Sequence, residues 1–192
     1  MATSLRWTTA DLEALPEPLD GKRYEIIDGE LYVSKQPSWE HQFTCSAVNA
    51  ALWQWNVQHG AGVVAFAPGL IFADDDNVAP DVVWVSTARL PTILDADRKL
   101  HAAPELVVEV LSPGARNESR DREAKLKLYS RRGAQEYWIM DPQRRQVEVY
   151  RRNGGPLPAL RLVATLHERD TLESPLLPGF ACPVAQLFAS EA

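Results

Sequence analysis

The sequence predicts an α/β (α+β) domain with a mixed β-sheet flanked by helices and β-hairpin decoration at the N- and C-terminal ends. Three observations carry this. Asp28-Gly29 lies between two β-forming segments, the strongest short signal for a two-residue hairpin turn. Residues 105–111 are apolar except for Glu105 and Glu109, as expected of a central strand covered on both faces. Two long stretches at helical spacing alternate with strand-like segments, which is the order of a layered α/β or α+β domain.

The elements follow in order. Thr8 and Asp11 fit a capping box, so residues 10–15 form a short helix ended by Pro16. The hairpin strands are Arg23–Ile27 and Glu30–Ser34. Trp39–His59 is a helix with an apolar side through Phe43, Ala47, Ala50, Ala51 and Trp55, and Gly60 stops it. Residues 63–66 and 70–73 read as one strand interrupted by Pro68-Gly69, 74–77 as a turn, and 82–85 as the next strand. A looser stretch with helical pieces, 86–103, leads into the central strand. The helix 119–132 ends at Gly133, and the strand 136–140 ends at Asp141-Pro142. Residues 147–150 and 160–166 form a closing hairpin, and 183–188 a short final helix.

A length of 192 residues suits a single domain over 1–192, and 45% hydrophobic with 24% charged residues suits a packed core. No apolar run approaches the ~20 residues of a membrane helix, and the N-terminus lacks a signal-peptide apolar region. A cytoplasmic protein without membrane contact is therefore expected. Two cysteines, Cys45 and Cys182, exclude a disulfide scaffold and a cysteine-rich zinc module. A net charge of −6 argues against nonspecific coating of nucleic acid, but leaves room for a local basic groove. The four histidines lack HxxxH or HExxH spacing, and phosphate-loop and serine-hydrolase motifs are missing.

Glu109 is the most informative residue. A carboxylate on a buried apolar strand needs a partner, a metal or a proton. Asp81, which opens an apolar strand after Pro80, poses the same question. In the helix that follows Glu109, the stripe Ala124, Leu128, Tyr129 shares its face with Asp121, Lys125 and Arg132. Lys127 falls on the opposite side, where Glu123 can pair with it. Lys125 is thus aimed at the sheet, beside Glu109. Two carboxylates and an ammonium at a sheet edge suit phosphodiester hydrolysis. The acids hold one or two Mg²⁺ ions (Mn²⁺ could substitute), and the lysine orients or deprotonates water or offsets phosphate charge.

Pro80-Asp81 followed by Glu109-Val110-Leu111 resembles the PD-(D/E)XK nuclease signature with Leu in place of the final Lys. The wider ordered set is more specific: residues 24–31, His41, Pro80-Asp81, residues 105–113, Asp121, Lys125-Leu126, Tyr129 and residues 136–142. Together they resemble the Uma-type restriction endonuclease family of bacteria over nearly the whole chain. The resemblance implies a restriction-endonuclease-like core at about 39–142, with Asp81 and Glu109 as metal ligands. It also implies that Lys125 replaces the missing motif lysine, and that Glu25 and His41 are auxiliary catalytic residues. Glu25 would complete the metal shell or hold Lys125; His41 would touch a phosphate or hold Glu25. A cross-strand ion pair and an ordinary surface histidine are the plain alternatives for these two.

Residues 116–132 carry seven basic side chains against three acidic, and Arg144, Arg145, Arg151 and Arg152 form a second cluster. Lined along one groove leading to Glu109, they would attract a polyanion. The expected function is a Mg²⁺-dependent endodeoxyribonuclease acting on DNA, as a homodimer. The rivals are a catalytically inactive nucleic-acid-binding or assembly module with the same fold, and a two-carboxylate glycosidase.

Overall fold

Two sheets and one interrupted helix bring the separated acidic residues together. The computed structural model describes residues 6–15 and 22–189. Helix α1 (Thr9–Ala14) starts at Thr8 with the expected capping box to Asp11; Pro16 lies outside the described residues. Strands β1 (Arg23–Ile27) and β2 (Glu30–Ser34) pair around Asp28-Gly29. Both turn residues have positive φ (52° and 76°), which this tight hairpin turn requires. Helix α2 (Trp39–His59) follows, capped by Ser38 and closed by Gly60 in the left-handed conformation.

The strands β3 (Gly62–Phe66) and β4 (Leu70–Ala73) do not form one interrupted strand. They belong to different sheets, and the corner includes Ala67 at φ 47°. Residues 74–77 are not all turn either: Asp74-Asp75 turn, and Asp76 opens β5 (Asp76–Val78). The Asp76 carboxylate is buried and accepts hydrogen bonds from Arg131, Arg132 and the Asp28 N–H. These partners are distant in sequence, so a local reading saw only an acidic turn. Asp76→Ala is expected to destabilise by about 1.5–3 kcal/mol, since it leaves charged donors without their acceptor. Asp75→Ala, at a solvent-exposed pair with Arg6, should cost no more than about 1 kcal/mol. Urea melts of both variants check the contrast.

Strand β6 (Val82–Ser86), helix α3 (Leu90–Ile93) and strand β7 (Leu106–Val110) come next. The helix predicted at 119–132 begins earlier, as α4 (Ala115–Ser119), runs through a π-helical segment Arg120–Lys125, and ends as α5 (Leu126–Arg132). It makes the crossover to β8 (Glu136–Asp141), which is parallel to β7. The chain closes through β9 (Gln146–Arg152), β10 (Leu160–His167), β11 (Thr171–Glu173), β12 (Ala181–Pro183) and a 3₁₀ turn at Val184–Leu187. The small β11–β12 pair was not expected from the sequence.

The larger sheet is mixed, in the order β10-β9-β8-β7-β6-β3, and β7 is central as expected. The other sheet has the order β2-β1-β5-β4. One face of the larger sheet packs Val64, Val82, Leu106, Val108 and Trp138 against Cys45, Val48, Leu52 and Trp55 of α2. The other face packs Val83, Val107, Tyr137 and Ile139 against Leu128 and Tyr129 of α5. The buried side of α2 is therefore His41, Thr44, Cys45, Val48, Leu52 and Trp55, not the predicted stripe. Of that stripe Trp55 alone is buried, while Phe43 and Ala50 are exposed.

Candidate active site

Strand register places the two expected metal-binding acids. Val82 pairs with Val108 in the antiparallel β6–β7 ladder, so Asp81, one step before β6, falls opposite Glu109. Directly opposed residues point to the same face with Cβ atoms about 4.5–5.5 Å apart. Asp81 Oδ2 also accepts the Val110 N–H at 2.9 Å, which fixes it to the neighbouring strand. Like charges opposed in this way are unfavourable, and the surroundings must offset them.

The offset comes from three other elements. Lys125, in the π segment, places Nζ 2.9 Å from Glu109 Oε1 and 2.9 Å from Glu25 Oε1. Tyr129, one turn later, donates its hydroxyl to the same Glu109 oxygen at 2.7 Å. Both donors converge on Oε1. Glu25 on β1 also accepts the Ala79 N–H at 3.0 Å. Arg23, two residues earlier on the same strand face, donates to Asp81 Oδ1 and the Ala79 carbonyl. Arg120 forks onto both oxygens of Asp121 and donates to Ser34. His41 Nε2 lies 3.4 Å from Asp81 Oδ2, and its Nδ1 faces Cys45 Sγ at 3.5 Å.

The five sequence-derived site residues thus meet around one recess of about 120 Å³, lined also by Arg23, Arg120 and Lys35. Glu25 takes the role of holding Lys125. His41 is buried rather than a surface residue, and it faces Asp81, not Glu25. Arg23 and Arg120 were missed as site residues. Arg23 had a signal, its i, i+2 spacing to Glu25. Arg120 had one as well, its i, i+4 and i, i+8 spacing to Ala124 and Leu128, but at the edge of that stripe; the wider π turn sets it beside Asp121 and Lys125.

The electrostatics are uneven. Burial pushes the Glu109 carboxyl up to about 8, with Lys125 the main opposing influence and Asp81, Asp121 and Glu25 adding to the rise. For Asp81, burial is outweighed by His41, Lys125 and the Val110 N–H, which hold it down at about 2. Lys125 stays charged: burial disfavours its ammonium, but Glu109, Glu25 and Asp121 raise it above the ordinary lysine range. Four carboxyl groups thus face three cations (Arg23, Arg120, Lys125), and Glu109 is the acid that keeps a proton.

The basic run is largely spent inside the chain. Arg122 binds Glu118, Asp141 and Glu148, and Arg131 and Arg132 bind Asp76. Lys127 is exposed as expected, but its partner is Asp28 at 3.5 Å, not Glu123. Arg151 pairs with Glu136, at the end of β8 away from Glu109, and Arg152 donates to the carbonyls of Ser130, Ala134 and Pro158. Arg151 and Arg152 are thus held away from Glu109, whereas Arg144 shares Glu118 and Asp141 with Arg122.

The profile of the Uma2 family, described as "Putative restriction endonuclease", matches residues 9–185. The chain belongs to the Uma2 family. A search of curated proteins found no match. Among solved structures, this Uma2 chain is similar to "a putative nuclease belonging to DUF820" from Anabaena variabilis, with a TM-score of 0.71 and 18% identity. The match covers 94% of this chain and 97% of that one, and it shows a shared fold. In this Uma2 member no described helix is long and apolar enough to cross a membrane.

Proposed function

We propose that the chain is a divalent-metal-dependent endonuclease that hydrolyses phosphodiester bonds in DNA. The observation that carries the reading is the cross-strand pair Asp81–Glu109 opening on a recess with a buried ammonium behind it. The family description supports nuclease chemistry.

The donor chemistry fits a hard cation. Asp81 and the second oxygen of Glu109 offer the carboxylate oxygens that Mg²⁺ prefers, and the recess has room for the waters it retains. Manganese would be accepted by the same oxygens. Cys45, with His41 and Asp81, completes a second close donor group, but burial pushes its thiol well up and sulfur suits softer ions. When bound, Mg²⁺ polarises a phosphoryl oxygen and supplies a hydroxide-like nucleophile. The chain's own groups do the rest. Lys125 is a charged donor, not a base; it holds Glu109 and Glu25 in place and sets positive charge at the recess wall. His41 and the Val110 N–H orient Asp81. Arg23, whose side chain is 38% exposed, and Lys35 present cations at the rim for the flanking phosphates. At about 120 Å³ the recess holds a phosphate and a few waters, not a nucleoside, so the strand would lie across its mouth.

Nicking of supercoiled plasmid in Mg²⁺ or Mn²⁺, abolished by chelation and by Asp81→Asn, is the expected result. Binding without cleavage across metals and substrates would overturn it in favour of the inactive module.

A further inference from the structure

The outward face of α2 is built for contact. Trp39, Phe43, Ser46, Ala50, Trp53 and Val57 follow one another at steps of four, three, four, three and four residues, and all six are exposed. This is the spacing of a helix–helix seam, and it lies directly opposite the buried face through His41, Cys45, Val48, Leu52 and Trp55. A helix apolar on both sides is one that packs on both sides. The exposures are large: Trp39 75%, Trp53 55% and Val57 65%.

We infer that this seam is where a second copy of the chain docks, through a two-fold α2–α2 contact. Two observations select that occupant. First, residues 42–58 contain no Asp, Glu, Lys, Arg or His in a chain that is 24% charged. An isologous contact sets a patch against itself, so any charge would meet its own like; a patch without charge meets itself at no such cost. A charged partner would find nothing here to complement. Aromatic enrichment with depleted charge is also the composition of an interface centre. Second, the area is of the right order. With ~150–250 Å² for a large aromatic side chain, Trp39, Phe43, Trp53 and Val57 together expose roughly 500 Å². That is the upper end of the largest patch on a monomer, and most of the ~800 Å² per partner in a standard interface. The inference does not depend on the metal site.

The test is sedimentation of the full chain over a concentration series. The wild type is expected to sediment as a dimer at about 10 µM. Trp53→Glu should raise the dissociation constant about a hundredfold or more, because the symmetric contact loses an anchor on both sides. Trp39→Lys, at the end of the seam, provides a second variant should Trp53→Glu fail to fold by near-UV circular dichroism. Ser46→Cys mixed with Ala50→Cys should cross-link on oxidation if the helices run antiparallel, and Ala50→Cys alone if they run parallel. A wild type that stays monomeric at about 100 µM overturns the inference, and so does a dimer that survives both charge substitutions.

Discussion

Lys125→Met is expected to lower the unfolding free energy by about 3–5 kcal/mol and to abolish cleavage. The ammonium is 1% exposed and lies between Glu25 and Glu109, with Asp121 at 3.9 Å. Removing it leaves buried carboxyl groups facing one another without their common cation, the situation in which breaking a buried pair is most costly. The double variant Lys125→Met, Glu25→Gln should recover part of the loss, since it also removes one of the ionised acids left behind. Urea unfolding measures the recovery as a coupling energy, and cleavage assays should find both variants inactive. Full stability in the single variant would show that the ammonium is not what offsets the acids.

Glu109→Gln alone should have the opposite profile, a fold nearly as stable as the wild type and a loss of Mg²⁺ binding and cleavage of a hundredfold or more. Burial pushes Glu109 up to about 8, so at neutral pH its carboxyl is largely protonated and glutamine is a close mimic. The same shift fixes the sign of the pH dependence. The folded chain holds a proton on Glu109 that the unfolded chain releases near pH 4.5. Stability from this group is therefore complete below that value and is lost as pH rises through about 8. A cation that needs the carboxylate must displace the proton. Mg²⁺ affinity should therefore rise about tenfold per pH unit up to pH 8 and level off above it. Calorimetry in buffers of different ionisation enthalpy should detect release of about one proton per ion at pH 7. In the glutamine variant that release should vanish. Asp81, held at about 2, contributes no such slope near neutrality.

The sequence made the centre of the site legible because charge interrupted apolar order there. Glu109 stood out inside an otherwise hydrophobic strand, and α-helical periodicity aimed Lys125 at it. The Asp28-Gly29 turn fixed the hairpin that brings Glu25. Harder to see were features set by contacts remote along the chain. Asp76 looked like part of a solvated turn because its arginines lie more than fifty residues away. The orientation of α2 was ambiguous because both of its sides are apolar, and its core side includes His41 and Thr44. Arg120 stood at the edge of the predicted stripe, and a departure from regular helical winding that no propensity encodes seats it beside Asp121 and Lys125.

That departure has a consequence for how the site can vary. A π turn is an α-helix carrying one residue too many, and it brings Arg120, Asp121 and Lys125 to the same side. A single-codon deletion between them would rewind the segment to ordinary pitch, bring Arg120 and Lys125 from i, i+5 to i, i+4, and so narrow their spacing while the two flanks keep their facing. The hydrophobic scaffold on both sheet faces has no need of the extra residue. One deletion event would therefore retune the distances at the chemical centre while the shell around it survives, so the spacing of these charges can vary independently of the fold.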